Sequence, residues 1–87
     1  MPEIQLSEKD IKDITISIKK IVGQLQSVST VIGNNQVTGQ TFTQLLAAKG
    51  GVSKVCKDII SKGVLNQIDK YSITELDAAL NIIFKLD

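Results

Sequence analysis

The stretch IKDITISIKKIVGQLQSVSTVI, residues 11–32, decides the fold of this 87-residue chain. Its aliphatic residues recur at alternating intervals of three and four, which is typical of a helix packed along one seam against another helix. A helix over about residues 8–33 would be about 39 Å long at 1.5 Å per residue, which predicts a rod-like subunit. The seam consists of Ile11, Ile14, Ile18, Ile21, Leu25, Val28 and Ile32.

Capping signals on either side of this stretch predict three helices. Ser7 followed by Asp10 resembles a capping box, and Ser72 with Glu75 forms a full S-x-x-E box. Thr38 is a suitable N-cap for the second helix, which follows a break rich in glycine and asparagine. We therefore predict one domain, residues 1–87, with helices at about 8–33, 38–68 and 73–86.

The second predicted helix contains the small residues Ala47, Ala48, Gly50 and Gly51. Small residues permit a neighbouring helix to approach closely, whereas two adjacent glycines could also break or kink the helix. We favour the continuous helix. Lys49 lies within its apolar arc, so it either reaches past the core to solvent or marks a position that fixes register or faces a ligand.

The composition favours an all-α fold that is completed by a partner. Apolar residues make up 43% of the chain and aromatic residues only 3%, as in helical bundles. Ile16 and Val31 lie off the seam, which suggests a second contact surface. We predict a three-helix subunit that forms a four-helix-bundle homodimer, or a homotetramer built as a dimer of dimers.

Charge is distributed unevenly along the chain although its net value is only +1. Five lysines and no acidic residue occur between Ile14 and Lys57, and arginine is absent. Four lysines of the first helix fall within an arc of roughly 100° at helical spacing. They form either an ordinary solvated face or a surface for an anionic partner, and they are Lys9, Lys12, Lys19 and Lys20.

Catalysis has little support in the sequence. The chain has no histidine and one cysteine, Cys56, and no phosphate-binding glycine loop. We predict no enzyme activity, no cofactor and no metal site, and we interpret Cys56 as an inert thiol of the apolar arc in preference to a redox or metal group. Without an apolar leader or a membrane span, the protein is expected in the cytoplasm.

The segments IKKIVGQLQSV and TQLLAAKGGV resemble the CsoR/RcnR/FrmR-type family of small all-helical repressors that sense metals, persulfide or formaldehyde. That family has a basic pair before an apolar residue and Gly-Gln in helix one, and a glutamine, a small-residue step and an arginine in helix two. The similarity spans roughly residues 11–68. The matching residues here are Lys19, Lys20, Ile21, Gly23, Gln24, Gln44, Ala47 and Lys49.

The resemblance implies an antiparallel four-helix-bundle dimer that stacks into a tetramer, and DNA contacts by Lys19 or Lys20 and by Lys49. It also implies sensor positions at which this chain departs from the family. The family's sensing cysteine corresponds to Thr38, its helix-two histidine to Gly63 and its next cysteine to Gln67, so metal sensing by that route is not expected. Pro2 matches the N-terminal proline of the formaldehyde sensors, but the cysteine that acts with it is missing.

Two hypotheses of different classes follow. The first is a DNA-binding transcriptional regulator, a repressor of this type with a lost or altered input, which recognises the DNA backbone and shape. The alternative is a helical interaction module that oligomerises without binding DNA, including as a hetero-oligomer with a related regulator. Simultaneous replacement of Lys19, Lys20 and Lys49 by alanine distinguishes them.

Overall fold

The computed structural model describes residues 3–86, and within that range every regular element is helical. The all-α class is thereby confirmed. The elements are α1 (Glu8–Gly33), α2 (Gly39–Gly63), a 3₁₀ helix (Leu65–Lys70) and α3 (Ile73–Lys85).

The predicted capping interactions are present at two helix starts. The Asp10 amide donates a 3.1 Å hydrogen bond to the Ser7 hydroxyl at the start of α1. At the start of α3 the bonds are reciprocal, from the Ser72 amide to Glu75 Oε1 (3.0 Å) and from the Glu75 amide to Ser72 Oγ (3.2 Å). The backbone and side-chain hydrogen bonds from Ser72 lower the pKa of Glu75 from 4.5, because they stabilise its carboxylate.

The turn between α1 and α2 follows directly from the asparagines in the sequence. Asn35 adopts a left-handed conformation with φ of 55°, which asparagine tolerates better than most residues. The Asn35 amide donates to the Ile32 carbonyl and the Gln36 amide to the Val31 carbonyl, each at 3.0 Å. This is the hydrogen-bond pattern of a Schellman motif, which satisfies the last carbonyls of α1 and reverses the chain.

α1 and α2 pack against each other as a helical hairpin, which we call the stem. Every second residue of the predicted seam is buried, and the residues between them are exposed at the edge of the stem, including Ile18 and Leu25. Gly51 lies where the helices approach closely, since a Cβ there would be 3.0 Å from Ile21 Cγ1. The stem cluster consists of Ile14, Ile21, Ala48 and Val55.

α2 runs without interruption through Gly50 and Gly51 and ends at Gly63, five residues before the end we predicted from sequence. Glycine favours helix termination, and the Gly63 carbonyl accepts a 3.1 Å hydrogen bond from the Tyr71 hydroxyl. The chain then continues as the 3₁₀ helix, which is kinked at Gln67. The connection between α2 and α3 is therefore longer than the predicted bounds, 38–68 and 73–86, imply.

α3 packs on the far end of α2 together with the N-terminal segment Ile4–Leu6, which we call the strap. Leu6 packs against the stem cluster, and Ile4 packs against the second core of the molecule. We call this second core the end cluster, and it consists of Ile60, Val64 and Ala79 with Ile4, Tyr71, Leu76 and Ile83 around them.

The molecule measures 51 × 26 × 15 Å, with a Cα radius of gyration of 16.1 Å. A compact chain of this length would have a radius of gyration of about 12 Å. The subunit is therefore a rod, as the length of α1 predicts. Within residues 3–86, none of the helices combines the length and apolar character required to span a bilayer.

Candidate functional site

A groove with both polar and apolar lining runs along one side of the stem, and we call it the lysine groove. Lys20 on α1 and Lys54 on α2 both line it, although they are far apart in sequence. Ile21 and Val55 of the stem cluster also line the groove. The positions of its polar side chains therefore depend on the packing of the two helices. The groove has a volume of about 230 Å³ and is lined by Ser17, Lys20, Ile21, Gln24, Ala47, Gly51, Lys54 and Val55.

The charge of the groove is positive and accessible. Lys20 is exposed, and the Lys54 side chain is 74% exposed. Lys54 Nζ lies 3.7 Å from Asp58 Oδ2, one turn further along α2. Because the lysine end of this pair is exposed, the pair contributes little and is screened by salt, so a phosphate could compete for Lys54. Gln24 adds an amide that can donate hydrogen bonds to an anion, whereas the Ser17 hydroxyl donates to the Asp13 carbonyl oxygen at 3.2 Å.

The three lysines predicted from the sequence do not share one surface of the subunit. Lys20 lines the lysine groove, but Lys19 and Lys49 do not, although both are exposed. Lys19 lies about 160° around α1 from Ile21, on the side of the helix opposite the stem contact. Lys49 and Lys54 are five positions apart, which places them about 140° apart around α2.

Sequence reasoning missed Lys54, Ser17 and Gln24 as members of a common site. The available signal was the long acid-free segment, which contains Lys54 as well as the lysines that we selected. The pairing of Lys20 with Lys54 depends on the register between α1 and α2, which no local pattern reveals.

The opposite side of the stem is apolar, and we call it the apolar face. It contains a groove of about 250 Å³ with entirely apolar lining surface. Cys56 is half-buried there, so it is less enclosed than the inert core thiol we expected. The groove is lined by Ile18, Ile21, Val22, Val52, Val55 and Cys56, and the exposed Ile11, Leu25, Leu45 and Ile32 extend the apolar face along the stem.

The positions that the resemblance equates with sensor ligands separate to the two ends of α2. Thr38 is the N-cap of α2, and its amide donates to Thr41 Oγ1 at 3.1 Å. Gly63 is the last residue of α2, about 37 Å away at 1.5 Å per residue. Within one subunit, Thr38 therefore does not form a common site with Gly63 and Gln67. Pro2 lies outside the described residues.

A metal-binding side chain has no room at position 63 in this structure. Gly63 is buried, and a Cβ there would overlap Ile4 Cγ2 and lie 3.1 Å from Leu6 Cδ2. Across residues 3–86 there is no group of three or more His, Cys, Asp or Glu side chains that could hold an ion. The residues at these positions therefore do not fit the metal implied by the resemblance.

Comparison with known proteins agrees with the resemblance at the level of the family. The sequence model described as metal-sensitive transcriptional repressor matches residues 10–85, which include all three α-helices almost completely. Neither the curated proteins nor the solved structures yielded a match. Because the family match spans most of its length, the chain belongs to the metal-sensitive transcriptional repressors of the CsoR/RcnR type.

Proposed function

We propose that this protein is a cytoplasmic DNA-binding transcriptional repressor whose family metal-sensing route has been lost. The observation that carries the DNA-binding part is the lysine groove, which is lined by Lys20 and Lys54 from different helices. Lysine binds phosphate as a point charge, so the expected recognition is neutralisation of the DNA backbone with readout of duplex shape.

The long acid-free segment supports the same surface. No Asp or Glu occurs between Asp13 and Asp58, so α1 beyond its second turn and most of α2 present lysines without alternating acids. Lys19 would contact the duplex from the outer side of α1. Lys49 also belongs to the proposed DNA-binding set. It lies on another side of α2 from Lys54, so it would contact the duplex only if dimerisation brought that side beside the DNA.

A salt-dependent titration tests DNA binding directly. The probe is a duplex from the region upstream of the protein's own coding sequence, compared with a scrambled duplex of equal length. Each neutralised phosphate should contribute about −0.9 to the slope of log affinity against log salt. A slope near zero, or equal binding to both duplexes, would reject the proposal of a sequence-selective repressor.

A charge-matched pair of double variants tests whether the groove is the binding site. Lys20→Gln with Lys54→Gln removes two groove charges, and we expect the salt slope to become shallower by about 1.8 for each bound subunit whose groove contacts DNA. Lys70→Gln with Lys85→Gln removes the same net charge from exposed positions on the 3₁₀ helix and α3. Equal loss in both variants would show that net charge, and not the groove, drives binding.

We also propose that the apolar face binds a second copy of the chain, giving the antiparallel four-helix-bundle dimer implied by the resemblance, or a tetramer of two such dimers. The subunit has a surface of 6299 Å², against about 5,000 Å² expected for a compact monomer of this mass. The excess exceeds the roughly 800 Å² that each partner buries in a standard interface.

Dimerisation through the apolar face can be tested with two variants of equal charge. Val22→Glu places a carboxylate in the apolar groove, and Ser27→Glu places one at an exposed position about 140° around α1 from Val22. Light scattering should give a dimer or tetramer for the wild type and for Ser27→Glu, and a monomer for Val22→Glu. A monomeric wild type would contradict the proposed assembly.

The apolar face also supports a second candidate function, a helical interaction module without DNA binding. Such a protein would pair with itself or with a related regulator through the same residues. Replacement of Lys19, Lys20 and Lys49 by alanine should then leave partner binding unchanged and have no effect on transcription. Loss of operator binding in that variant favours the repressor.

The loss of the metal-sensing route is supported by Thr38, Gly63 and Gln67, none of which offers the thiolate or imidazole of the family's sensors. We expect purified protein to contain less than one equivalent of copper, nickel, cobalt or zinc per subunit. Stoichiometric metal retained through gel filtration would contradict this part of the proposal.

A further inference from the structure

The strap crosses the end of α2 at the sensor-equivalent positions. Ile4 contributes to the end cluster, where it packs with Ile60 and Val64 of the α2 end and with Ala79 of α3. Leu6 packs on the stem cluster. Three consecutive residues thus connect the hairpin to α3.

Gly63 is the residue that permits this crossing. Any side chain at position 63 would begin with a Cβ that overlaps Ile4 Cγ2 and lies 3.6 Å from the Gln5 carbonyl oxygen. No glycine of the described chain has a positive φ, so backbone conformation does not require glycine here. The close approach of the strap does.

The second sensor-equivalent position also contacts the strap. Gln67 Nε2 donates a 3.3 Å hydrogen bond to the Gln5 carbonyl, across 62 residues of sequence. One turn of chain further on, the Tyr71 hydroxyl binds the Gly63 carbonyl. The resemblance equates Gly63 and Gln67 with metal ligands of helix two. In this chain, both residues contact the strap instead.

We propose that the strap holds the 3₁₀ helix and α3 against the end of α2, and that release of the strap is the conformational switch of this end of the molecule. This role of the strap follows from the contacts of Ile4, Gln5 and Leu6. It does not depend on DNA binding, so its test uses free protein.

Hydrogen exchange measured by mass spectrometry on the full chain tests the proposal. Gly63→Ala should displace the strap and raise exchange of the amides in Ile73–Lys85 by about tenfold or more, while exchange in the part of α1 nearest the turn, residues 22–33, is unchanged. Gly50→Ala is the matched control, because a Cβ at Gly50 meets nothing within 4 Å. Unchanged protection of α3 in Gly63→Ala would overturn the proposal.

A double variant separates strap displacement from other effects at position 63. Ile4→Ala alone should also raise α3 exchange, because it removes the side chain that packs on the end cluster. It also removes the Cγ2 atom with which the new methyl group would overlap. Adding Gly63→Ala to Ile4→Ala should therefore change α3 exchange by less than about twofold, since effects of contacting residues are not additive. An equally large effect of Gly63→Ala in both backgrounds would overturn the proposal.

Discussion

The stem and the strapped end of α2 are packed by different means. In the stem, buried residues recur every seven positions, at Ile14, Ile21 and Val28 on α1 and at Thr41, Ala48 and Val55 on α2. At the strapped end, the regular repeat gives way to a non-helical segment, a 3₁₀ helix and a short α-helix around Val64 and Ala79.

This difference separates the two roles that we propose, assembly through the stem and conformational switching at the strapped end. The regular stem leaves one polar side and one apolar side, which suits the binding of two different partners. The strapped end has an irregular core whose closure depends on three residues of the N-terminal segment. We therefore expect mutations in the stem to affect global stability and those at the strapped end to affect local opening.

The largest expected effect is loss of a stem side chain. Ile21→Ala removes a buried residue that contacts α2, and we expect unfolding free energy to fall by about 3 kcal/mol. Ile16→Ala makes the same change at an exposed position of α1 and should cost under about 1 kcal/mol. Urea unfolding at one fixed protein concentration measures both. Similar losses for the two variants would mean that Ile16 is buried in the assembly.

Overpacking the end cluster should have a smaller and more local effect. Ala79 is fully buried, so Ala79→Leu forces additional volume between α3 and α2 and should cost about 1–3 kcal/mol. Amides of α3 should exchange faster while those of α1 keep their protection. Ala78→Leu, at the exposed neighbouring position, is the control and should leave both helices unchanged. If Ala79→Leu raised amide exchange in α1 as much as in α3, the stem and the strapped end would not open independently.

The adjacent glycines of α2 provide a sharper comparison within the stem. Gly50→Ala meets open space and should stabilise the helix by up to about 1 kcal/mol. Gly51→Ala places a methyl group 3.0 Å from Ile21 Cγ1 and 3.1 Å from Ile21 Cδ1, so most of that gain should be lost. Thermal unfolding at equal concentrations gives the difference. Equal stabilisation by both substitutions would indicate that the stem is looser than described.

The smallest effect concerns the capping box of α3 and depends on pH. Hydrogen bonds from Ser72 lower the pKa of Glu75 in the folded protein, so the box stabilises α3 above the ordinary carboxyl pKa of 4.5. That contribution is lost as pH falls through the lowered pKa. α3 amides should exchange faster in Glu75→Gln than in the wild type near neutral pH, and the two should converge in acid. Asp77→Asn, at an exposed position of α3, should show no such convergence.

Local signals were sufficient to predict most of the helical framework. The bounds of α1 follow from Ser7 at one end and the asparagine turn at the other, and the start of α3 follows from the Ser72 box. The predicted end of α2, at about residue 68, lies five residues beyond the observed end at Gly63. Its termination involves the Tyr71 hydroxyl and the packing of Val64, both of which require the folded chain.

The candidate site was only partly accessible from sequence. The lysine-rich, acid-free segment was visible, but the sharing of one groove by Lys20 and Lys54 was not, and neither was the separation of Lys49 from that groove. Which lysines face the same side depends on how two helices are rotated against each other, and residues from both helices contribute to that contact.

The sequence by itself determined that the chain forms helices, where most of them begin, and that an apolar seam pairs the two long ones. These properties depend on residues three to seven positions apart, whose interactions are set by helical geometry. Only the tertiary structure decided that the strap lies over Gly63 and is held by Gln67, because this contact joins residues 62 positions apart. Such contacts arise from the packing of the whole chain, and no short pattern encodes them.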